Sequence, residues 1–392
     1  MPNGALADLR VLEIAHSPAA SYCGKLLAGC GAEVVKVEPP GKGDPVRAYP
    51  PFPGDQPLPE KSGHFLHLNG GKKSITLNLD TPTGAMIFKE LARRADAVVE
   101  DTAPGVMERR GLGANVLEEI NPSLVVTSVT AFGQTGPYRD LKTSELVTFA
   151  LSGYMDLCGL PDREPIKAWG YLGEYVGGVC AALATMSGLA ARDQTGAGQH
   201  VDHSLMDSMM MLLGMTPFEY LYLDEVYKRN GNDSPGVDVR QGVSKLLPCR
   251  DGYVHVDRGT PALLARLTGD PRLEQTGLAR EEYDRLLTAW LMEHDKTEIA
   301  NRAQAMRLGF TEVSEPGELL ADPQHEARGL FEAIDHPEAG RITQPGAPFK
   351  MAGTPWKSSR APTLGEHNEA IYSQELGYTT ERIAGMKQMG II

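Results

Sequence analysis

Residues 10–38, RVLEIAHSPAASYCGKLLAGCGAEVVKVE, decide the fold. RVLEIA (10–15) and EVVKVE (33–38) are short apolar-rich runs of the kind buried in strands. ASYCGKLLAGCG (20–31), between them, reads as a helix closed by glycine. Strand, crossover helix and strand form the unit from which parallel sheets are assembled. The loop after the first strand, AHSPAASYCG, lacks Gly-x-Gly-x-x-Gly, so the dinucleotide fingerprint is absent.

The alternation continues outward from this unit. PPGKGDPVRAYPPFPGDQPLP (39–59) interrupts it, and SITLNLD (74–80) then alternates like a strand. Thr81-Pro82 opens a helix over GAMIFKELARRA, with proline in its tolerated first position. AVVED (97–101) and SLVVTSVTAFG (123–133) complete the expected strands of an α/β sheet. Two helical patterns over about 175–217 flank the turn DQTGAGQ (193–199), and RNGNDSPG (229–236) marks a boundary. LLPCRDGYVHVD (246–257) reads as a hairpin turning at Asp251-Gly252, with helical segments following to about 325. The last sixty residues return to irregular structure and a closing helix, TTERIAGMKQMG.

Composition bounds the function. A chain of 392 residues implies two domains or one interrupted one, and 41% hydrophobic with 23% charged residues is ordinary for a soluble globular protein. A net charge of −13 argues against nucleic acid or an anionic membrane as the main partner. Five cysteines without a Cys-x-x-Cys pair suggest reduced thiols and a cytoplasmic location. MPNGALADLRVLEIA has no basic stretch followed by a long apolar run, so no secretion signal is expected, and the apolar windows near 176–191 and 208–215 are broken or too short to span a bilayer. GQHVDHSLMD groups His200, Asp202, His203 and Asp207, but in a strand the two histidines face opposite ways, so no metal site is expected.

One carboxylate stands out. In GYLGEYVGG (170–178), Glu174 lies among Gly170, Gly173, Gly177 and Gly178, just ahead of an Ala-rich stretch. Glutamate is rarely buried without a partner, and glycine lets another group approach the backbone closely. The alternative is a solvated acid at a helix start. Lys42, Arg47, Arg109 and Lys142 each sit in or beside a loop, ordinary surface charges unless one ligand gathers them.

Taken in order, several stretches resemble the family III CoA-transferases, the CaiB/BaiF family. They are RVLEIAH, LLAGCGAEVVKVEPPGKGDPVR, LNGGKKSITLNLDTPTG, DAVVEDTAPGVMERRGLG, PSLVVTSVTAFGQTGPY, ARDQTGAGQHVDHSLMDS and APTLGEHNEAIYSQELGY. The resemblance implies a Rossmann-like large domain, a smaller α+β domain and an interlocked homodimer. The implied bounds are 1–220 for the first part of the large domain, 221–329 for the small one, and 330–392 for a segment returning to the large one. It implies acyl-CoA and carboxylic acid as substrates, coenzyme A entering as a thioester, with no permanently bound cofactor and no metal. Glu174 matches the family's catalytic aspartate, with Gly173 and Gly177 as backbone support for an oxyanion. Arg109 and Lys142 match CoA-contacting positions, and Lys42 or Arg47 would reach the phosphates. Asp101 stands near CoA where many members have asparagine.

The expected activity is CoA transfer from an acyl-CoA to an acid through a glutamyl-CoA thioester. The alternatives are an isomerase or racemase, a lyase or a thioesterase on the same scaffold, or a non-catalytic acyl-CoA-binding paralogue. The racemases of the family place a histidine ahead of the stretch matching ELVTFALSG (145–153), and this chain has none between His67 and His200. Glu145 is as readily structural as catalytic.

Overall fold

A computed structural model describes residues 4–226, 228–229, 231, 243–275 and 277–392, so most of the boundary RNGNDSPG lies outside the described residues. Strands β1 (Arg10–Ile14), β2 (Glu33–Glu38), β3 (Lys73–Thr76), β4 (Ala97–Glu100), β5 (Val125–Thr130) and β6 (Gln199–Ser204) form one sheet in the order β3-β2-β1-β4-β5-β6. Every pairing in it is parallel. This is the doubly wound order, in which the chain reverses direction across the sheet between β1 and β4.

Successive side chains of a strand point to opposite faces, and here both faces are covered. Leu12, Val35 and Val98 pack with Ile87, Phe88 and Leu91 on one side. Val11, Val34 and Val99 pack with Ala19, Ala20, Cys23 and Ala181 on the other. That double burial explains why these strands read as continuous apolar runs. The first face is covered by helix Pro82–Ala92 and by Ile371, Tyr372, Ile383 and Met386 from the C-terminal segment. The second is covered by α1 (Pro18–Gly29) and the 24-residue helix α2 (Leu172–Thr195).

The α2 glycines have a packing role. A Cβ at Gly178 would stand 2.7 Å from the Ala19 carbonyl oxygen, and one at Gly188 would stand 2.9 Å from Val125. Each helical glycine costs about 1 kcal/mol relative to alanine, and here it lets α2 lie directly on α1 and β5. The helix ends at Gly196, which takes the left-handed conformation (φ 76°) and donates its N–H to Arg192 O at 2.7 Å.

Residues 1–155, 167–218 and 328–392 form one compact unit, and 156–166 with 219–327 form another. The second carries an antiparallel hairpin, β7 (Val243–Cys249) and β8 (Gly252–Gly259), with β9 (Thr311–Glu312) beside β8. Its core gathers Val254, Val256, Leu264, Leu287, Ile299 and Phe310. The hairpin turns one residue earlier than the sequence suggests. Gly252 pairs with Cys249, so Arg250 and Asp251 form the two-residue loop.

Candidate active site

In a doubly wound sheet, ligands bind beyond the carboxyl ends of the strands where the strand order reverses. The acids at those ends tie the loops together. Asp101, just past β4, accepts the N–H groups of His16 (2.8 Å) and Ser17 (2.7 Å), and His16 Nδ1 lies 3.0 Å from Oδ1. That contact raises the imidazole pKa against the opposing effect of burial. Glu100 accepts the N–H and hydroxyl of Thr102 at 2.8 and 2.6 Å. Asp202 accepts the Gln134 N–H at 2.9 Å, fixing the loop after β5.

Glu174 enters this crevice from the first turn of α2. Its Oε2 accepts the N–H of Ala19, in the first turn of α1, at 3.1 Å. Burial pushes its pKa up to about 7; the Ala19 N–H and the Ser17 hydroxyl oppose that shift, while the charges of Asp101 and Glu145 add to it. A basic, poorly solvated carboxylate is a better nucleophile than an exposed one. Glu174 lines a cavity of about 480 Å³ together with Ser17, Asp101, Phe132, Arg139 and Lys142.

A clamp fixes the approach to it. Glu145 Oε1 accepts the Gly173 N–H at 3.0 Å, and its Oε2 pairs with Lys167 Nζ at 2.6 Å. The same ammonium donates to Ala168 O at 2.8 Å and to Gly170 O. Lys167→Met removes the hub of this clamp. We expect kcat to fall about 10- to 100-fold, because a misplacement of about 1 Å is costly, with little change in the KM for the CoA ester. Steady-state kinetics on the folded variant checks the split; an unchanged kcat would show that the clamp does not position Glu174.

The structure gathers some of the expected residues and removes others. Lys142 is exposed at the mouth of the Glu174 cavity. Arg109 is not among the residues lining that cavity; it lines a separate groove of about 720 Å³ with Lys89 and Met86. Lys42 is exposed in the loop after β2, outside the residues lining the cavity. Arg47 does not reach for phosphate. It is buried, bonded to Glu38 (2.7 and 2.9 Å) and Glu60 (2.7 Å), with its guanidinium 3.6 Å from the centre of the Phe65 ring. Asp101 lines the Glu174 cavity with its oxygens already accepting the N–H groups of His16 and Ser17.

Neither glycine presents an uncommitted N–H. The Gly173 N–H is committed to Glu145. Gly177 lies inside the helix, where its N–H belongs to the helical ladder, and a Cβ there would fall 2.2 Å from Leu205 Cδ2. The donors facing Glu174 are instead Ala19 N–H and the Ser17 hydroxyl. Sequence reasoning missed them, along with Arg139, although their place just after β1, at the reversal of strand order, was a usable signal. His200 and His203 do face apart: His200 Nε2 is 3.0 Å from Ser128 Oγ, and His203 is buried against Ser208.

Comparison with known proteins agrees with this geometry. The family profile described as CoA-transferase family III matches residues 6–368. The chain is 31% identical to the succinyl-CoA–D-citramalate CoA-transferase of Chloroflexus aurantiacus, over 100% of this chain and 99% of that one. It is 33% identical to the succinyl-CoA:mesaconate CoA-transferase of Haloarcula hispanica, over 97% and 99% of the two chains. Among solved structures, a CaiB/BaiF family protein from Brucella suis superposes with a TM-score of 0.86 at 29% identity, covering 95% of this chain and 99% of that one.

Proposed function

The chain belongs to CoA-transferase family III and is a CoA-transferase, and we propose that it carries CoA on Glu174 between an acyl-CoA donor and a carboxylic acid acceptor. The observation that carries this reading is the buried Glu174 carboxyl, held by Ala19 N–H and lining a cavity that also bears Lys142. The ionised carboxylate attacks the thioester carbonyl, giving a mixed anhydride and CoA thiolate. The thiolate attacks the glutamyl carbonyl of that anhydride, releasing the donor's acid and leaving a glutamyl-CoA thioester. An acceptor carboxylate then attacks this thioester, and the released thiolate takes the acceptor's acyl group, restoring Glu174. One difficult exchange is divided into easier ones. Ala19 N–H, on Glu174 Oε2, and the Ser17 hydroxyl stabilise the oxyanion of the tetrahedral intermediates formed when the glutamyl carbonyl is attacked.

The named relatives use succinyl-CoA, so succinyl-CoA with a small dicarboxylic acid is the first substrate pair to offer. CoA thioester is substrate here, and no permanently bound cofactor enters the scheme. The test is borohydride added after acyl-CoA. It reduces a glutamyl-CoA thioester, and mass spectrometry of the peptide containing GYLGEYVGG reads the change. The same mixture in deuterium oxide distinguishes the isomerase and lyase readings, because both remove an α-proton with a placed base. Trapped Glu174 without α-exchange is expected; rapid α-exchange without trapping overturns the transferase mechanism.

We further propose a cytoplasmic homodimer. Val179 and Leu183 on α2, and Met211 beyond β6, are 49%, 68% and 77% exposed, an apolar surface of the kind that marks a protein interface. If the chains interlock, dissociation requires unfolding. Sedimentation should therefore show a dimer that persists at nanomolar concentration, and a stable folded monomer would contradict it. The free cysteines fit a reducing compartment.

A further inference from the structure

A buried acid lies behind the active-site crevice. Glu100, the last residue of β4, is 3% exposed and pairs in register with Ser128 of β5. Two residues before them stand Val98 and Val126, core residues of the sheet face under helix Pro82–Ala92. Side chains two apart in a strand share a face, so Glu100 and Ser128 end that apolar row with a polar pair. His200, beside Val126 on the edge strand β6, joins them on the same face.

Their hydrogen bonds run in one direction. Glu100 Oε2 accepts the Thr102 N–H at 2.8 Å and the Thr102 hydroxyl at 2.6 Å, and the Ser128 hydroxyl bonds to the same carboxylate. An ionised carboxylate can only accept, so the single Ser128 proton lies toward Glu100. Ser128 Oγ then accepts from His200 Nε2, 3.0 Å away, which places the imidazole proton on Nε2. A buried carboxylate is costly without its donors, and this row supplies them from the exposed strand inward.

We infer that Ser128 and His200 are positioning residues for Glu174, acting through Glu100 and the Asp101–Thr102 segment. The inference rests on CoA transfer through Glu174 and adds to it two residues that never touch substrate. Glu100 holds Thr102 by two bonds, which fixes Asp101 between them. Asp101 accepts the N–H groups of His16 and Ser17, at 2.8 and 2.7 Å, and so sets the loop after β1. From that loop the Ser17 hydroxyl and the Ala19 N–H reach Glu174. Glu100, Ser128, His200, Thr102, Met107 and Gln134 line a space of only about 10 Å³, room for one water at most, so no acyl-CoA enters there. Any effect on transfer therefore passes through the loop. A fully satisfied buried network makes such a segment rigid, where apolar packing would leave it freer.

The test is steady-state transfer with succinyl-CoA and a small dicarboxylic acid. It compares wild type, Ser128→Ala, His200→Ala, His200→Gln and the double variant Ser128→Ala with His200→Ala. For Ser128→Ala we expect kcat to fall about 10- to 100-fold with the KM for the CoA ester unchanged, the scale of a displacement of about 1 Å at the reacting group. His200→Ala should lose less, and His200→Gln, which can still donate to Ser128 Oγ, should recover most of that loss. Because His200 acts only through Ser128, the double variant should match Ser128→Ala in kcat, a non-additivity that a general loss of stability does not produce. Additive losses, a rise in KM in place of the fall in kcat, or an unchanged kcat overturn the inference. His200 is exposed, so its variants should fold and decide the matter even where Ser128→Ala does not. Trapping with borohydride separates the two levels. Wild type that forms no glutamyl-CoA thioester undermines transfer through Glu174 and the inference with it. Wild type that forms it, with both single variants turning over at the same rate, removes the inference alone.

Discussion

Glu174→Gln abolishes transfer while leaving the protein folded and able to bind CoA: that is the expected result, with a fall of about 10⁴-fold or more, the scale on which loss of a covalent nucleophile acts. Glutamine keeps the size and the bond from Ala19 N–H but cannot attack a thioester. No thioester should form, so borohydride leaves the variant unlabelled. Near-normal turnover in a folded Glu174→Gln protein would sink the assignment. The raised pKa adds two checks. Because the ionised carboxylate is the nucleophile, acylation by acyl-CoA should rise with pH and level off above about 7. Stability should run the other way. The folded state holds this proton more tightly than the unfolded chain, so wild type loses stability as pH rises from the ordinary carboxylate range to about 7. Glutamine has no such dependence. Glu174→Gln should therefore unfold at a higher temperature than wild type above pH 7, with the gap closing near pH 4. Glu174→Asp keeps the charge but draws the carboxyl back by one methylene, and is expected to cost about 10²-fold.

Much of this site was legible, though not for the reasons first given. The strands of the parallel sheet showed themselves because burial on both faces makes them apolar throughout, as in Val34, Val35 and Val37. Their ends were less visible. SITLNLD reads as a strand to residue 80, yet β3 stops at Thr76, because Asn78 turns the chain and its carbonyl accepts the Thr81 N–H ahead of the next helix. Glu174 was marked by its glycines, of which Gly178 and Gly177 make room for Ala19 and Leu205 against the helix. Arg47 and Lys142 look alike as loop cations. What separates them is Glu38 and Glu60, which neutralise only the first. No local pattern reveals such pairings, since the partner is chosen by tertiary distance. The same holds for Glu145 and Lys167, whose ion pair holds the carboxylate that accepts the Gly173 N–H.

The charged residues inside the first two strands lead to the prediction with the largest effect on stability, Lys36→Met. Lys36 is fully buried and pairs with Glu13 at 2.9 Å and Asp44 at 2.5 Å. The other Glu13 oxygen pairs with Lys72 at 2.7 Å, and Lys72 also donates to Asn69 Oδ1 and to Ser21 O. Gly24 on α1 makes room for the network, since a Cβ there would fall 1.7 Å from Glu13 Oε2. Burial works against the Lys36 charge, but Asp44, Glu13 and Glu38 together outweigh it and push its pKa up. Lys36 is therefore charged over the whole working pH range. Methionine fills much the same volume, leaves Asp44 without its ammonium and leaves Glu13 with Lys72 alone. Removing one member of a buried ion network costs about 3–5 kcal/mol, chiefly through the charges left unpaired. For a unit of this size, each kcal/mol lowers the melting temperature by about 2–4 °C, so a fall on the order of 10 °C is expected. If the loss comes from orphaned carboxylates, Lys36→Met with Asp44→Asn should recover part of it. If it comes from lost packing, the second substitution should add to the damage. Asp44 also caps the turn that follows by accepting the Val46 N–H at 2.8 Å, so asparagine, which keeps an acceptor, is the right partner for the test. Denaturant unfolding of the single and double variants decides between these outcomes, and a Lys36→Met protein within about 1 kcal/mol of wild type would show that the network does not hold the sheet to α1.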